Sequence, residues 1–224
     1  MHLLFINPYN TQEKMQYSKN DLEQLDRKYR LNLINSISGV KPANLIGTKS
    51  EKRQENLAIF SSVVHLGSSP AQLGFVMRPQ TDEIKDTYAN IQKTGYYTIN
   101  HVGESFVKKA HYTSAKLKKE ESEFERMNIE KIYLHDFHAP FVKKSQVKMG
   151  MKLTHQIPLP NDCIFMIGEV VLLDIAENIT NKKGQIDLSA SKTAGISGLN
   201  TYYALNKIDN FPYVRTNEIP DFNE

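Results

Sequence analysis

The span from Asn56 to Asn100 constrains the fold most, because its hydrophobic period changes from strand-like to helical and back within a few turns of chain. An apolar, β-rich run from Asn56 to Leu66 reads as one strand covered on both faces, and Ser68-Ser69-Pro70 breaks it. A second run, Gln72 to Met77, ends at Arg78-Pro79; proline cannot donate to a ladder, so Arg78 should stand at the mouth of that strand. Thr81 or Asp82 can cap a helix over Glu83 to Lys93, in which Ile84, Tyr88 and Ile91 keep helical spacing, and Gly95 follows as the residue that ends it. Tyr96 to Val102 is again β-rich. Asn56, Ser61, Ser62, Arg78, Lys85 and Thr87 therefore fall near the ends of consecutive elements.

The flanks add strands and a few helices. Ser18 or Asn20 can cap one N-terminal helix carrying Leu22, Leu25 and Tyr29, after an irregular polar arm. Ala43 to Thr48 is a short apolar run joined to the next strand by a charged turn. Glu104 to Lys109 can form a helix, and the Lys/Glu-rich piece from Lys116 to Arg126 reads as an exposed excursion. Ile132 to Leu134, Gln146 to Ile157 and Cys163 to Ile175 read as strands. Many strands joined by turns, with few helices between them, predict a mainly β antiparallel barrel with helical additions. We expect a single domain over 1–224, with an N-terminal arm and helix in 1–30 and a tail in 206–224.

Composition narrows the function classes. The 28 basic and 25 acidic residues leave a net charge of only +3, and they are dispersed, so no overall field calls for nucleic acid or a membrane surface. The N-terminus lacks the layout of a signal peptide and no window is apolar enough to span a membrane, so the expectation is a cytoplasmic protein. Cys163 is the one cysteine; no intrachain disulfide can form, and its apolar neighbours predict a buried thiol.

Motifs for the common dinucleotide, nucleotide, hydrolase and zinc-protease sites are missing: GxGxxG, GxxxxGK[ST], GxSxG and HExxH do not occur. His135-Asp136-Phe137-His138 offers two imidazoles and a carboxylate, but no second ligand cluster stands at a recognisable spacing, so a polar loop is expected and no metal. His101 reads as a half-buried strand histidine rather than a site residue. Arg78, Lys85 and Thr87 suit a phosphate monoester: a guanidinium, an ammonium, a hydroxyl and the first amides of a helix together replace the water a dianion loses. Taken singly, each charge could equally be a solvated element end.

Asn56-Leu57-Ala58-Ile59-Phe60-Ser61, then Lys85-Asp86-Thr87-Tyr88-Ala89-Asn90-Ile91 and Thr94-Gly95-Tyr96-Tyr97-Thr98-Ile99-Asn100, resemble the flavin reductase-like family of FMN-binding split barrels, as do Ile167-Gly168-Glu169-Val170-Val171 and Gly198 to Tyr203. The resemblance covers roughly residues 30 to 205. It implies a six-stranded, Greek-key-like split barrel that forms a homodimer and binds FMN near the subunit interface. It places Asn56, Leu57 and Ala58 along the isoalloxazine and ribityl chain, gives the phosphate to Ser61, Ser62, Arg78, Lys85 and Thr87, and brings Thr48 and Ser50 to the ring. The implied activity is NADH- or NADPH-dependent reduction of flavin, with the cofactor carrying the chemistry and no catalytic side chain required. Two departures stand out: Gly168-Glu169 is followed by Val170 where some relatives place a histidine for the nicotinamide, and Ile59 replaces a proline. A flavin-binding electron carrier or sensor without nicotinamide activity is the alternative, and a plain barrel holding another phosphorylated ligand is a third reading.

Overall fold

A computed structural model describes residues 15–52, 54–80, 84–118 and 120–222. Seven antiparallel strands form the main sheet: β2 (Asn44–Lys49), β3 (Glu55–Phe60), β4 (Val64–Ser68), β5 (Ala71–Met77), β6 (Tyr96–His101), β9 (Val147–Pro158) and β10 (Ile164–Ile175). Their order across the sheet is β3-β2-β6-β9-β10-β5-β4. The two ends of that order, β3 and β4, are consecutive in the chain and separated by only Ser61, Ser62 and Val63. So short a link cannot reach across a flat seven-stranded sheet, whose neighbouring strands lie about 4.8 Å apart, so the sheet must curl until its edges meet. Ser62 fastens the seam: the Val76 N–H donates to its Oγ at 3.0 Å, and the hydroxyl donates to the Val76 carbonyl at 3.3 Å. The result is the expected split barrel, six main strands with the short β4 added at the edge.

Alternation along the strands fills two apolar layers. Ile46, Phe75, Tyr97, Ile99, Met149, Met151 and Met166 pack inside the barrel, while Leu45, Leu57, Val102, Phe106, Phe124 and Val142 form a second cluster outside it. β2 thus gives Ile46 to one layer and Leu45 to the other and is buried on both faces. The outer layer is covered by α4 (Val107–Tyr112), α5 (Glu123–Arg126), the hairpin of β7 (Lys131–Ile132) with β8 (Phe141–Val142), and a small sheet of β1 (Lys41–Pro42), β11 (Ala194–Ser197) and β12 (Thr201–Ala204). Full burial of each such side chain contributes about 1.5–3 kcal/mol, so the two layers dominate the stability.

Several expectations change. The single N-terminal helix is two: Ser18 caps α1 (Lys19–Gln24) in a capping box with Asp21, and Asp26 caps a second, α2 (Arg27–Ser36). The run from Asn56 to Leu66 is not one strand covered on both faces but β3 and an exposed β4, divided at the Ser61-Ser62 seam. The next helix, α3, spans Asp86–Thr94 and begins later than Glu83; the proposed caps Thr81 and Asp82 lie outside the described residues. Gly95 does end it, in the left-handed conformation at φ 73°. The Lys116 to Arg126 excursion is not exposed throughout, because Glu123 and Phe124 are buried. Cys163 lies just before β10 and is partly exposed, since the strand starts one residue later. Among the described residues, no helix is long and apolar enough to cross a membrane.

Candidate functional site

The candidate residues gather where the β2–β3 hairpin meets the first turn of α3. Thr48 and Asn56 are directly paired across the two strands. Asn56 Nδ2 donates to Thr87 Oγ1 at 2.9 Å, and Asn90 Nδ2, one helical turn further, donates to Thr48 Oγ1 at 3.1 Å. Thr48 is fully buried and Thr87 nearly so. Thr87 accepts from Asn56 and keeps its own hydroxyl hydrogen to give. Ser50 closes the hairpin turn: the Gln54 N–H donates to its Oγ at 3.0 Å and the Ser50 N–H to the Gln54 carbonyl at 2.8 Å. Leu57 sends its side chain into the outer apolar cluster, and Ala58 is half-buried beside it.

A second group lies along the barrel seam. Ser61 and Ser62 leave the far end of β3, about 16 Å from Asn56 along an extended strand, so they do not share contacts with it. Ser62 is bonded to Val76, two residues before the exposed Arg78. Gln80 ties Arg78 to the helix start, its Nε2 donating to the Arg78 carbonyl at 2.6 Å while its Oε1 accepts from the Lys85 N–H at 2.8 Å. Lys85 occupies the N-cap position of α3 and is half-buried. The two groups therefore join at one helix terminus, whose outward amides and positive dipole end suit an anion. This donor set fits a phosphate monoester.

The segment from 131 to 142 walls the hairpin. Tyr133 donates to Glu55 at 2.7 Å and Lys131 is paired with the same carboxylate. The Lys49 ammonium stands 4.5 Å over the Tyr133 ring, and His138 Nε2, facing the Lys49 carbonyl at 3.0 Å, must carry the proton it donates there. Gly47 allows the approach, because a Cβ at that position would lie 2.5 Å from the Pro140 carbonyl oxygen and 2.6 Å from Thr98 Oγ1. His135 and Asp136 form the turn at φ 47° and 54°. Among the described residues no group of three His, Cys, Asp or Glu side chains could hold a metal ion.

Three residues that sequence reasoning missed belong to this region. Asn90 was legible as the residue one turn after Thr87; Gln80 carried no signal beyond its place after Arg78-Pro79. Glu123 was hidden in a charged stretch: it is 8% exposed, and its Oε2 accepts the Leu57 N–H at 2.9 Å. Burial pushes its carboxyl above the usual range and nearby Asp86 adds to the rise, against the pull of the Leu57 bond. His101, at the end of β6, is held down at about 4 by burial. It lines a separate cleft of about 160 Å³ with Lys144, Ser191 and Thr193, and another cleft of about 420 Å³ lies between Asn181–Ser189 and Leu205–Asn210. Neither cleft touches the candidate residues.

Residues 40–188 match the flavin reductase like domain family. A protein of Shewanella frigidimarina with a split barrel domain, proposed to be a flavin reductase, is 44% identical; the alignment covers 90% of this chain and all of that one, with a TM-score of 0.86. Component B of the nitrilotriacetate monooxygenase of Bacillus cereus is 22% identical over 89% of this chain and 99% of its own, with a TM-score of 0.78. Flavoredoxin of Desulfovibrio vulgaris (Miyazaki F) is 20% identical over 78% and 91%, with a TM-score of 0.68. At these last two identities the likeness is one of fold.

Proposed function

Because the chain belongs to the flavin reductase like domain family, we propose that it binds FMN against the β2–β3 hairpin and α3 and is a flavin oxidoreductase that takes electrons from NADH or NADPH. What supports this reading is that Gln80 ties the backbones of Arg78 and Lys85 together at the start of α3, whose first turn carries Thr87 in its bond to Asn56. When bound, the flavin supplies the hydride-accepting chemistry. The residues supply place and charge. Asn56, Leu57 and Ala58 present the strand to the ring and ribityl chain, Thr48 and Ser50 hold the hairpin that the ring faces, and Arg78, Lys85 and Thr87 serve the phosphate; Ser61 and Ser62 stand at the far end of β3, with the Ser62 hydroxyl given to Val76. Leu57 takes part through its carbonyl, since its N–H is given to Glu123 and its side chain to the outer apolar cluster.

We also propose a homodimer. Val64 and Leu66 on edge strand β4, with Val171 and Leu173 on β10, are large exposed apolar side chains available to such a contact. A second functional reading, a flavin-binding electron carrier without nicotinamide activity, is favoured by Val170, which stands where some relatives place a histidine for the nicotinamide. The visible spectrum of the purified protein, before and after anaerobic NADH and then NADPH, separates them. Oxidised-flavin bands that bleach with either donor support the reductase, and bands that persist with both support the carrier. No bands even after added FMN would remove the flavin reading.

A further inference from the structure

We infer that Glu123 is a positioning residue of the flavin site: by accepting the Leu57 N–H on the open edge of β3, it fixes the strand segment on which Asn56 and Ala58 are displayed. This rests on the flavin reading above. Among the described residues, β3 ends the sheet order and pairs only with β2, so its outward amides face no further described strand. An outward amide that is also covered by protein must find an acceptor or lose the water it had. α5 provides that acceptor. Glu123 lies 8% exposed with Oε2 at 2.9 Å from the Leu57 nitrogen, while the next residue, Phe124, enters the apolar cluster that also holds the Leu57 side chain. Leu57 is thus held by both its backbone and its side chain, and both anchors come from neighbouring residues of one short helix.

The position of Leu57 makes this more than edge protection. Asn56, immediately before it, crosses to Thr87 at the helix terminus, and Ala58, immediately after it, is paired with Ile46 of β2. A shift of the Leu57 backbone would move both. The operative property is the acceptor oxygen and not the charge. Glu123 sits near the like-charged Asp86 and is largely shielded from water, conditions that favour its neutral form, and a neutral carboxyl or amide oxygen accepts the same N–H. Glutamine should therefore replace it, whereas methionine, similar in length but without the oxygen, should not.

Three variants test the inference: E123Q, E123M and E123D, the last keeping the carboxylate but withdrawing it from the strand. Each is titrated with FMN and with riboflavin, and exchange of the Leu57 amide is followed by NMR. E123Q should bind both flavins within about twofold of the wild type and protect the Leu57 amide. E123M and E123D should lose about tenfold or more in affinity for both flavins alike, since the displayed strand serves parts that the two share, and Leu57 should exchange faster. If E123M does not fold, E123D decides. Wild-type affinity in E123M or E123D, or a loss in E123Q as large as in either, overturns the inference. If the wild type binds neither flavin, it is the flavin reading that fails, and unchanged Leu57 exchange across the variants then overturns the Glu123 inference separately.

Discussion

Arg78 is the residue at which a phosphate role and an ordinary surface role part most cleanly. It is exposed just beyond β5, and its carbonyl, not its guanidinium, is engaged by Gln80. If the guanidinium holds the FMN phosphate, Arg78→Ala should lower FMN affinity about tenfold or more, one decade per 1.4 kcal/mol, and leave riboflavin nearly unchanged. Equal behaviour of the two flavins in a fluorescence titration would return Arg78 to the solvated surface and shift the phosphate toward Lys85 and Thr87. His101 carries a pH prediction. Burial holds its imidazole at about 4, below the ordinary value near 6.5, so between those values the unfolded chain takes up a proton that the folded chain refuses. Its contribution to stability is fully present above about pH 6.5 and is lost as pH falls through about 4. Lys144, Lys192 and Glu104 also line its cleft. Denaturation of wild type and His101→Asn at pH 7 and pH 5 should show the wild type losing about 1–2 kcal/mol more than the variant, after allowance for the part of the ring that reaches water. Parallel losses would remove His101 from the acid response.

At the scale of elements, one tight joint lies between β2, β6 and the segment ahead of β8. Thr98 donates to the Pro140 carbonyl at 2.7 Å, and that same oxygen would meet a Cβ placed on Gly47. Because one obstacle is backbone and the other is tied to it, neither can rotate away. Gly47→Ala should cost about 2–4 kcal/mol in denaturant unfolding; a change below about 0.5 kcal/mol, the range of ordinary surface substitutions, would show the joint to be soft. How far each element was legible follows from where its signal lay. The strands β2, β5, β6, β9 and β10 were readable because alternation or an unbroken apolar run extended over most of each, and Gly95 marked the end of α3 by backbone chemistry alone. The break between β3 and β4 was not, because Val63 and Val64 continue the apolar run while the interruption depends on Ser62 meeting Val76, a partner fourteen positions away. Asp26 divided the N-terminal helix because it offers a second N-cap inside a weak apolar pattern. α5 escaped notice because its burial rests on Glu123 and Phe124 alone, amid charges that face water. The same rule holds within the site: Asn56, Thr87 and Asn90 lie in motifs that local reading can find, but their bonds to each other and to Thr48 exist only once α3 lies on the hairpin.

At the scale of the whole molecule, the outer surface carries more apolar area than one chain covers. α1 and α2 bury no residue, and Ile37 is 69% exposed after them; in the tail, Phe211 is 78% and Tyr213 90% exposed. Leu173, on β10, is 54% exposed, and β4 ends the sheet order beside β5. Scattered apolar residues are normal on a monomer, but an edge strand flanked by them invites pairing, and a two-fold partner covers such a surface with itself. Tyr202 contributes within the chain, holding His111 at 3.0 Å with a hydroxyl that burial pushes up to about 12, whereas Tyr203 beside it faces outward. If the homodimer is formed through β10 and β4, light scattering at micromolar concentration should give close to twice 25.6 kDa. A double variant, Leu66→Glu with Leu173→Glu, sets like charges at a desolvated contact. It should shift the mass toward the monomer by at least about tenfold in the dissociation constant while far-UV circular dichroism stays unchanged. If FMN binds near the subunit interface, its affinity should fall with the dimer and recover as protein concentration is raised, a dependence that direct damage to the site would not produce. A monomeric wild type, or a monomeric variant that binds FMN as tightly as the dimer at every protein concentration, would separate the flavin site from the interface.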